Sequence, residues 1–311
     1  MKAYKGFDKD LKCRNFQFEI GKTYTEDEAE LCNCGFHACL NPIDCLYYYH
    51  IQEKSRYCIV DIDDLDILSE QKQLTHATDS KICGKTVKIE RELTLLELIE
   101  EARQFIIDHA ENDDVDDDSS YYIVPKPYSY TAIGTSKNNM NWLEAAICCK
   151  VHSKILCRGI VASILNSAHH CQLFAESETV IANSGDACFI CTYSDTPSGN
   201  NYTSIQNSGV NSIIVIGDNS YQTTVNNSGV CAAIYDYGNY SDIVTIGGRT
   251  IIRSFGKNCT ITCTRGYCFV SGKIGTKITM RSDNNKMISF EIDGENYKED
   301  TLYTLRGEEI I

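Results

Sequence analysis

Between Trp142 and Ser282 short β-rich runs such as Ser212-Ile-Ile-Val-Ile216 and Thr260-Ile-Thr-Cys-Thr264 are punctuated at near-regular intervals by polar corners. Asn-Ser-Gly stands at Asn183-Ser184-Gly185, Asn207-Ser208-Gly209 and Asn227-Ser228-Gly229, and Gly247 and Gly266 continue the series. The steps are about 24, 20, 18 and 19 residues. A second glycine series runs through Gly199, Gly217, Gly238, Gly256 and Gly275. Two corners and two or more β runs make one coil. Such a unit cannot bury its inner face alone, so coils must stack at the strand spacing, as a β-solenoid of about seven coils and roughly 35 Å. Glycine is expected at the corners because the backbone there visits positive φ, and stacked Asn amides can hydrogen-bond from coil to coil.

The pattern before this region is different. Strands are predicted at Lys2–Phe7, Gly35–Cys39, Arg56–Ile62 and Thr86–Glu90. Asn41-Pro42 reads as an N-cap with proline at the first helical position, and Ile43, Leu46, Tyr47 and His50 follow at helical spacing. A second helix starts at Thr94, which forms a capping box with Glu97 and precedes the apolar stripe Leu95, Leu98, Ile99, Ala102, Phe105 and Ile106. After the repeats, Ile288–Ile292 alternates and turns at Asp293-Gly294, which predicts a hairpin cap. The fold class expected is an α+β domain over residues 1–110 and an acidic, proline-bearing linker over 111–130. An all-β single-stranded β-solenoid (β-helix) over 131–285 and a β-hairpin cap over 286–311 follow.

Composition narrows the function classes. The chain of 311 residues has a formal net charge of −14, a field that repels phosphate backbones and anionic membrane surfaces. Direct nucleic-acid binding and membrane insertion are therefore not expected. An odd count of 17 cysteines, with no apolar leader after Met1, predicts reduced thiols in a cytoplasmic protein, most of them small buried hydrophobes. The densest set of metal-ligand types is Cys32, Cys34, His37, Cys39 and Cys45. Its spacing lacks the second ligand pair of a structural zinc site, so no metal is assigned and His37 is kept as a ligand-binding candidate. The acidic run Glu111–Asp118 lacks the glycine and terminal glutamate of an EF-hand and is read as a solvated linker.

Two resemblances bear on function. The order Tyr4-Lys5-Gly6, then Gly35-Phe-His-Ala-Cys39, then a helix bearing Tyr47-Tyr48-Tyr49, resembles the ADP-ribosyltransferase fold over roughly residues 2–100. That resemblance implies NAD as cofactor, Tyr48 stacking on nicotinamide and Glu90 or Glu92 as the catalytic glutamate. Lys5 stands where the polymerase branch has His and the toxin branch has Arg, and no Ser-Thr-Ser motif is present. The opening Lys2–Cys13, with Phe16–Tyr24 and Cys34-Gly-Phe-His-Ala-Cys39, resembles instead an uncharacterised domain of phage and prophage proteins, often followed by Asn-Ser-Gly repeats. That likeness implies a mobile-element origin and no activity.

The leading expectation is an interaction protein without a cofactor, its N-terminal recognition domain and rigid acidic solenoid binding a host protein or a small ligand. An NAD-dependent enzyme built on Lys5, Tyr48 and Glu90 is the alternative, and a fibre or spike component, with the oligomer this implies, is a third reading.

Overall fold

A computed structural model describes residues 1–66, 80–110, 121–124, 129–133, 144–148, 150–158, 162–176, 179–193, 202–265 and 267–311. The chain forms two compact units, Met1–His109 and Ala110–Ile311. Most of the acidic linker, together with Gly199, Gly266 and Trp142, lies outside the described residues.

In the first unit the strands are β1 (Lys2–Phe7), β2 (Lys12–Cys13), β3 (Phe16–Gln17), β4 (Thr23–Thr25), β5 (Phe36–Cys39), β6 (Arg56–Leu65) and β7 (Lys81–Leu93). All pairings are antiparallel, and they return on themselves: β1 pairs with β5 and β6, and β7 pairs with both of those strands. The four strands thus close into a ring around Ala3, Phe7, Phe18, Val60, Ile62, Ile82 and Ile89. β7 is longer than the predicted Thr86–Glu90 because both of its edges are used, with β4 and β5 on one side and β6 on the other. Helix α1 (Leu95–His109) begins as expected. Thr94 Oγ1 accepts from Glu97 N at 3.2 Å, and Glu97 Oε2 accepts from Thr94 N at 2.8 Å.

The predicted helix after Asn41 is instead a 3-10 segment, Pro42–Tyr47, followed by a single 3-10 turn at Ile51–Glu53. Asn41 Oδ1 does cap it, accepting from Ile43 N at 3.1 Å. At three residues per turn Ile43 and Leu46 eclipse and are buried, while Tyr47 and Tyr48 are turned outward.

The second unit is a two-sheet parallel β-solenoid closed by a C-terminal hairpin. One sheet stacks strands from Tyr121–Ile123 through Lys277–Arg281, and the other from Tyr130–Ile133 through Phe269–Ser271. The ladder therefore starts at Tyr121, inside the stretch expected to be linker. Isoleucines 164, 181, 205, 243, 261 and 278 of the first sheet and 190, 214, 234 and 252 of the second fill a continuous interior. At the end of the first sheet Asn166, Asn183, Asn207 and Asn227 form a buried amide ladder. Each Nδ2 donates to the next Asn Oδ1 at 2.6 to 2.7 Å, and the last to Thr245 Oγ1 at 3.0 Å.

The glycine expectation needs correction. Gly185, Gly209, Gly229 and Gly247 do not have left-handed φ. They stack directly, and a Cβ on any of them would collide with the carbonyl oxygen of the residue one coil earlier. The left-handed positions fall two residues later, at Ala187, Asn211, Cys231 and Arg249, with φ of 53° to 59°. Close backbone approach, rather than backbone sign, selects glycine in this column.

The cap also differs in detail. Lys277–Arg281 pairs backward with Met287–Glu291, so the hairpin turn lies at residues 282–286. Asp293-Gly294 is a second turn that brings Tyr297 and Tyr303 against Phe290 over the open end of the core.

Candidate functional site

The site grows from a split in the N-terminal ring. β1 and β5 are in register at Tyr4↔Cys39 and then part. Lys5 shares the inward strand face of Ala3 and Phe7, and its ammonium reaches across the split to donate to the His37 carbonyl at 2.7 Å. The opening is a cleft of about 910 Å³ lined among others by Lys5, Cys13, Arg14, His37, Tyr48 and Lys81.

Lys5 is 6% exposed, and its other neighbours are Cys13 Sγ at 3.8 Å and the faces of Phe7 and Phe18 at 5.5 and 5.8 Å. Among the described residues no carboxylate lies within ion-pair reach of it. A buried cation without a counter-charge costs several kcal/mol, of order. Lys81 places its ammonium 5.1 Å from the centroid of the Tyr48 ring, which is 44% exposed. Among the described residues the one acid of the lining is Glu26, which accepts from Gly35 N at 3.0 Å. The cleft is thus cationic in a protein of net charge −14.

His37 accepts the Cys32 N–H at Nε2, 2.9 Å away. Burial first, then the nearby Lys5 and Lys81 charges, lower its pKa below the ordinary imidazole value, so the ring is neutral.

The structure brings Lys5, His37 and Tyr48 to one cleft, but neither glutamate lines it. Glu90 is paired with Lys88 at 2.9 Å on the surface. Glu92 holds Arg56 through two hydrogen bonds of 2.7 and 2.5 Å. Cys32, Cys34, Cys39 and Cys45 also line the cleft, yet among the described residues no three His, Cys, Asp or Glu side chains are disposed to hold a metal ion. Sequence reasoning missed Cys13, Arg14 and Lys81. They arrive from the β2–β3 hairpin and the start of β7, and no local motif ties them to Lys5.

On the solenoid a shallow groove of about 670 Å³ follows the Asn ladder, and among the described residues none that lines it is charged. Its serines are spent locally, Ser184, Ser208 and Ser228 donating to backbone carbonyls of the preceding coil at 3.3 Å. No helix of the described residues is long and apolar enough to cross a membrane.

No curated protein and no solved structure matches the chain. Residues 1–101, the strand ring with its cleft and the first half of α1, match a family described as a domain of unknown function (DUF7666).

Proposed function

We propose that this is a binding protein whose N-terminal cleft takes a small anionic ligand, with the solenoid as a rigid support presented to a partner protein. One observation carries the reading: Lys5 is buried at the cleft with an acceptor carbonyl but, among the described residues, no counter-charge. An anion entering the cleft would supply that charge, assisted at its rim by Lys81 and Arg14, and Tyr48 offers an exposed ring face beside Lys81. A mobile-element setting, to which the opening motif is similar, would make the partner a host protein. Thermal shift of the full chain across a panel of phosphorylated and carboxylated metabolites tests the proposal. Stabilisation by a subset of anions, weakened in Lys81→Ala, supports it, and no shift with any anion rejects it.

The NAD-transferase reading is favoured by the meeting of Lys5, His37 and Tyr48 in one cleft, and opposed by the position of Glu90 and Glu92 outside its lining. Labelled NAD and cell lysate discriminate the two. Label transfer that is lost in Glu90→Ala or Glu92→Ala would favour the enzyme.

A further inference from the structure

The cationic cleft contains a thiol. Cys13, at the end of β2, is half-buried, and its sulfur lies 3.8 Å from the Lys5 ammonium. On the other side is Tyr49, whose ring lies so close over Gly6 that a Cβ there would come within 2.7 Å of it. Burial first, and then the Cys13 sulfur beside it, hold the Tyr49 phenol protonated well above its ordinary range. The Cys13 sulfur thus lies between an ammonium and a phenol, both able to donate to it, and its thiolate is the form that attacks a disulfide. Cys32 is more exposed and shares the cleft, but among the described residues no hydrogen-bond donor faces its sulfur. Most other described cysteines are buried.

We propose that Cys13 is a modification site for an anionic low-molecular-weight disulfide bound in this cleft; this rests on the cleft being an anion site. The Cys13 thiolate attacks one sulfur of the disulfide, and the Cys13–S bond forms as the ligand's S–S bond breaks. The leaving sulfur departs as a thiolate and takes up, through solvent, the proton that Cys13 gave up. One thiol and one disulfide become one mixed disulfide and one thiol, with the ligand as oxidant. Selectivity for an anion comes from Lys5, Arg14 and Lys81, because Glu26, the one acid of the lining among the described residues, is engaged by Gly35. A field of that sign raises the encounter rate of anions and lowers that of cations.

The test exposes the full chain to oxidised glutathione, which is anionic, or to cystamine, which is cationic, and maps mixed disulfides by mass spectrometry at short times. Each rate is divided by that of the denatured chain with the same reagent. The proposal expects Cys13 to be modified first, with the normalised rate about ten-fold or more higher for glutathione disulfide than for cystamine. Cys13→Ser should remove the fast product, Lys81→Ala should slow it several-fold, and Cys32→Ser should leave it intact. First modification at Cys32, or equal normalised rates for the two reagents, overturns it. S-methylglutathione, which cannot exchange, separates the two readings. If it binds the cleft while Cys13 stays inert toward glutathione disulfide, the modification is wrong and the anion site stands, whereas if it does not bind and Cys13 stays inert, both fail.

Discussion

Asn183 donates through Nδ2 to Asn207 Oδ1 at 2.7 Å and to Gly185 O at 2.8 Å, so one buried amide ties a coil to its neighbour and closes its own corner. Both ends of the Asn207 amide are committed in the same way, its Nδ2 reaching Asn227 and Gly209. Asn207→Ala removes those bonds, leaving one N–H of the buried Asn183 amide and the buried Asn227 Oδ1 without the partner each had in Asn207. A loss of about 2–3 kcal/mol is expected, against about 0.5 or less for Gln206→Ala one residue away on the exposed face. Equilibrium denaturation of the two variants checks the contrast, and equal costs would mean that the ladder contributes nothing specific.

Gly229 tests why the column is glycine. If clearance is the cause, Gly229→Ala and Gly229→Asn should both cost on the order of 1–3 kcal/mol, because either Cβ meets the Gly209 carbonyl. If positive φ were the cause, Asn would be well tolerated. Cys231, with φ of 59°, is the control: Cys231→Gly should be accepted without comparable loss. Hydrogen exchange in Gly229→Ala should show protection lost mainly between about residues 205 and 255, since stacked coils depend on their nearest neighbours.

Asp236 is a carboxyl group inside the solenoid. It accepts from Gly238 N at 3.0 Å and from Ser241 and Ser254 hydroxyls at 2.8 Å, and burial outweighs these bonds and raises its pKa from 3.8. The folded chain thus holds this proton to higher pH than the unfolded chain does. The associated stability is complete below the unfolded value and is lost as pH rises through the folded one. Asp236→Asn keeps the shape without the charge, so its stability relative to the parent should improve as pH rises from about 4 to 7. Denaturation midpoints of both proteins across that range give the difference directly. A relative stability that is flat, or that falls with pH, would contradict the assignment.

The repeat was legible because a column of identical residues in a stacked coil appears in the chain as a period, and Asn183, Asn207 and Asn227 occupy one column. The reason for glycine was not, since period alone cannot separate a backbone of unusual sign from a backbone with no room beside it. In the N-terminal unit the capping box at Thr94 and Glu97 was readable from four residues. The cleft was half readable: Lys5, His37 and Tyr48 lie on elements whose order suggested a site, whereas Cys13, Arg14 and Lys81 join it only through tertiary closure. Glu90 stands outside the cleft lining for a local reason. It follows Ile89, whose side chain fills the ring, so strand alternation turns the carboxylate outward toward Lys88.

The central functional claim is that the buried ammonium of Lys5 awaits an anion, and phosphorus NMR of the full chain titrated with inorganic pyrophosphate tests it most directly. The account predicts saturable, single-site broadening that is abolished in Lys5→Gln, weakened several-fold in Lys81→Ala and reduced by added salt. Near-native circular dichroism of Lys5→Gln would show that the loss is not unfolding, and Lys81→Ala serves in its place if that variant does not fold. Absence of saturable binding in the parent, or binding unchanged in both variants, would contradict the claim.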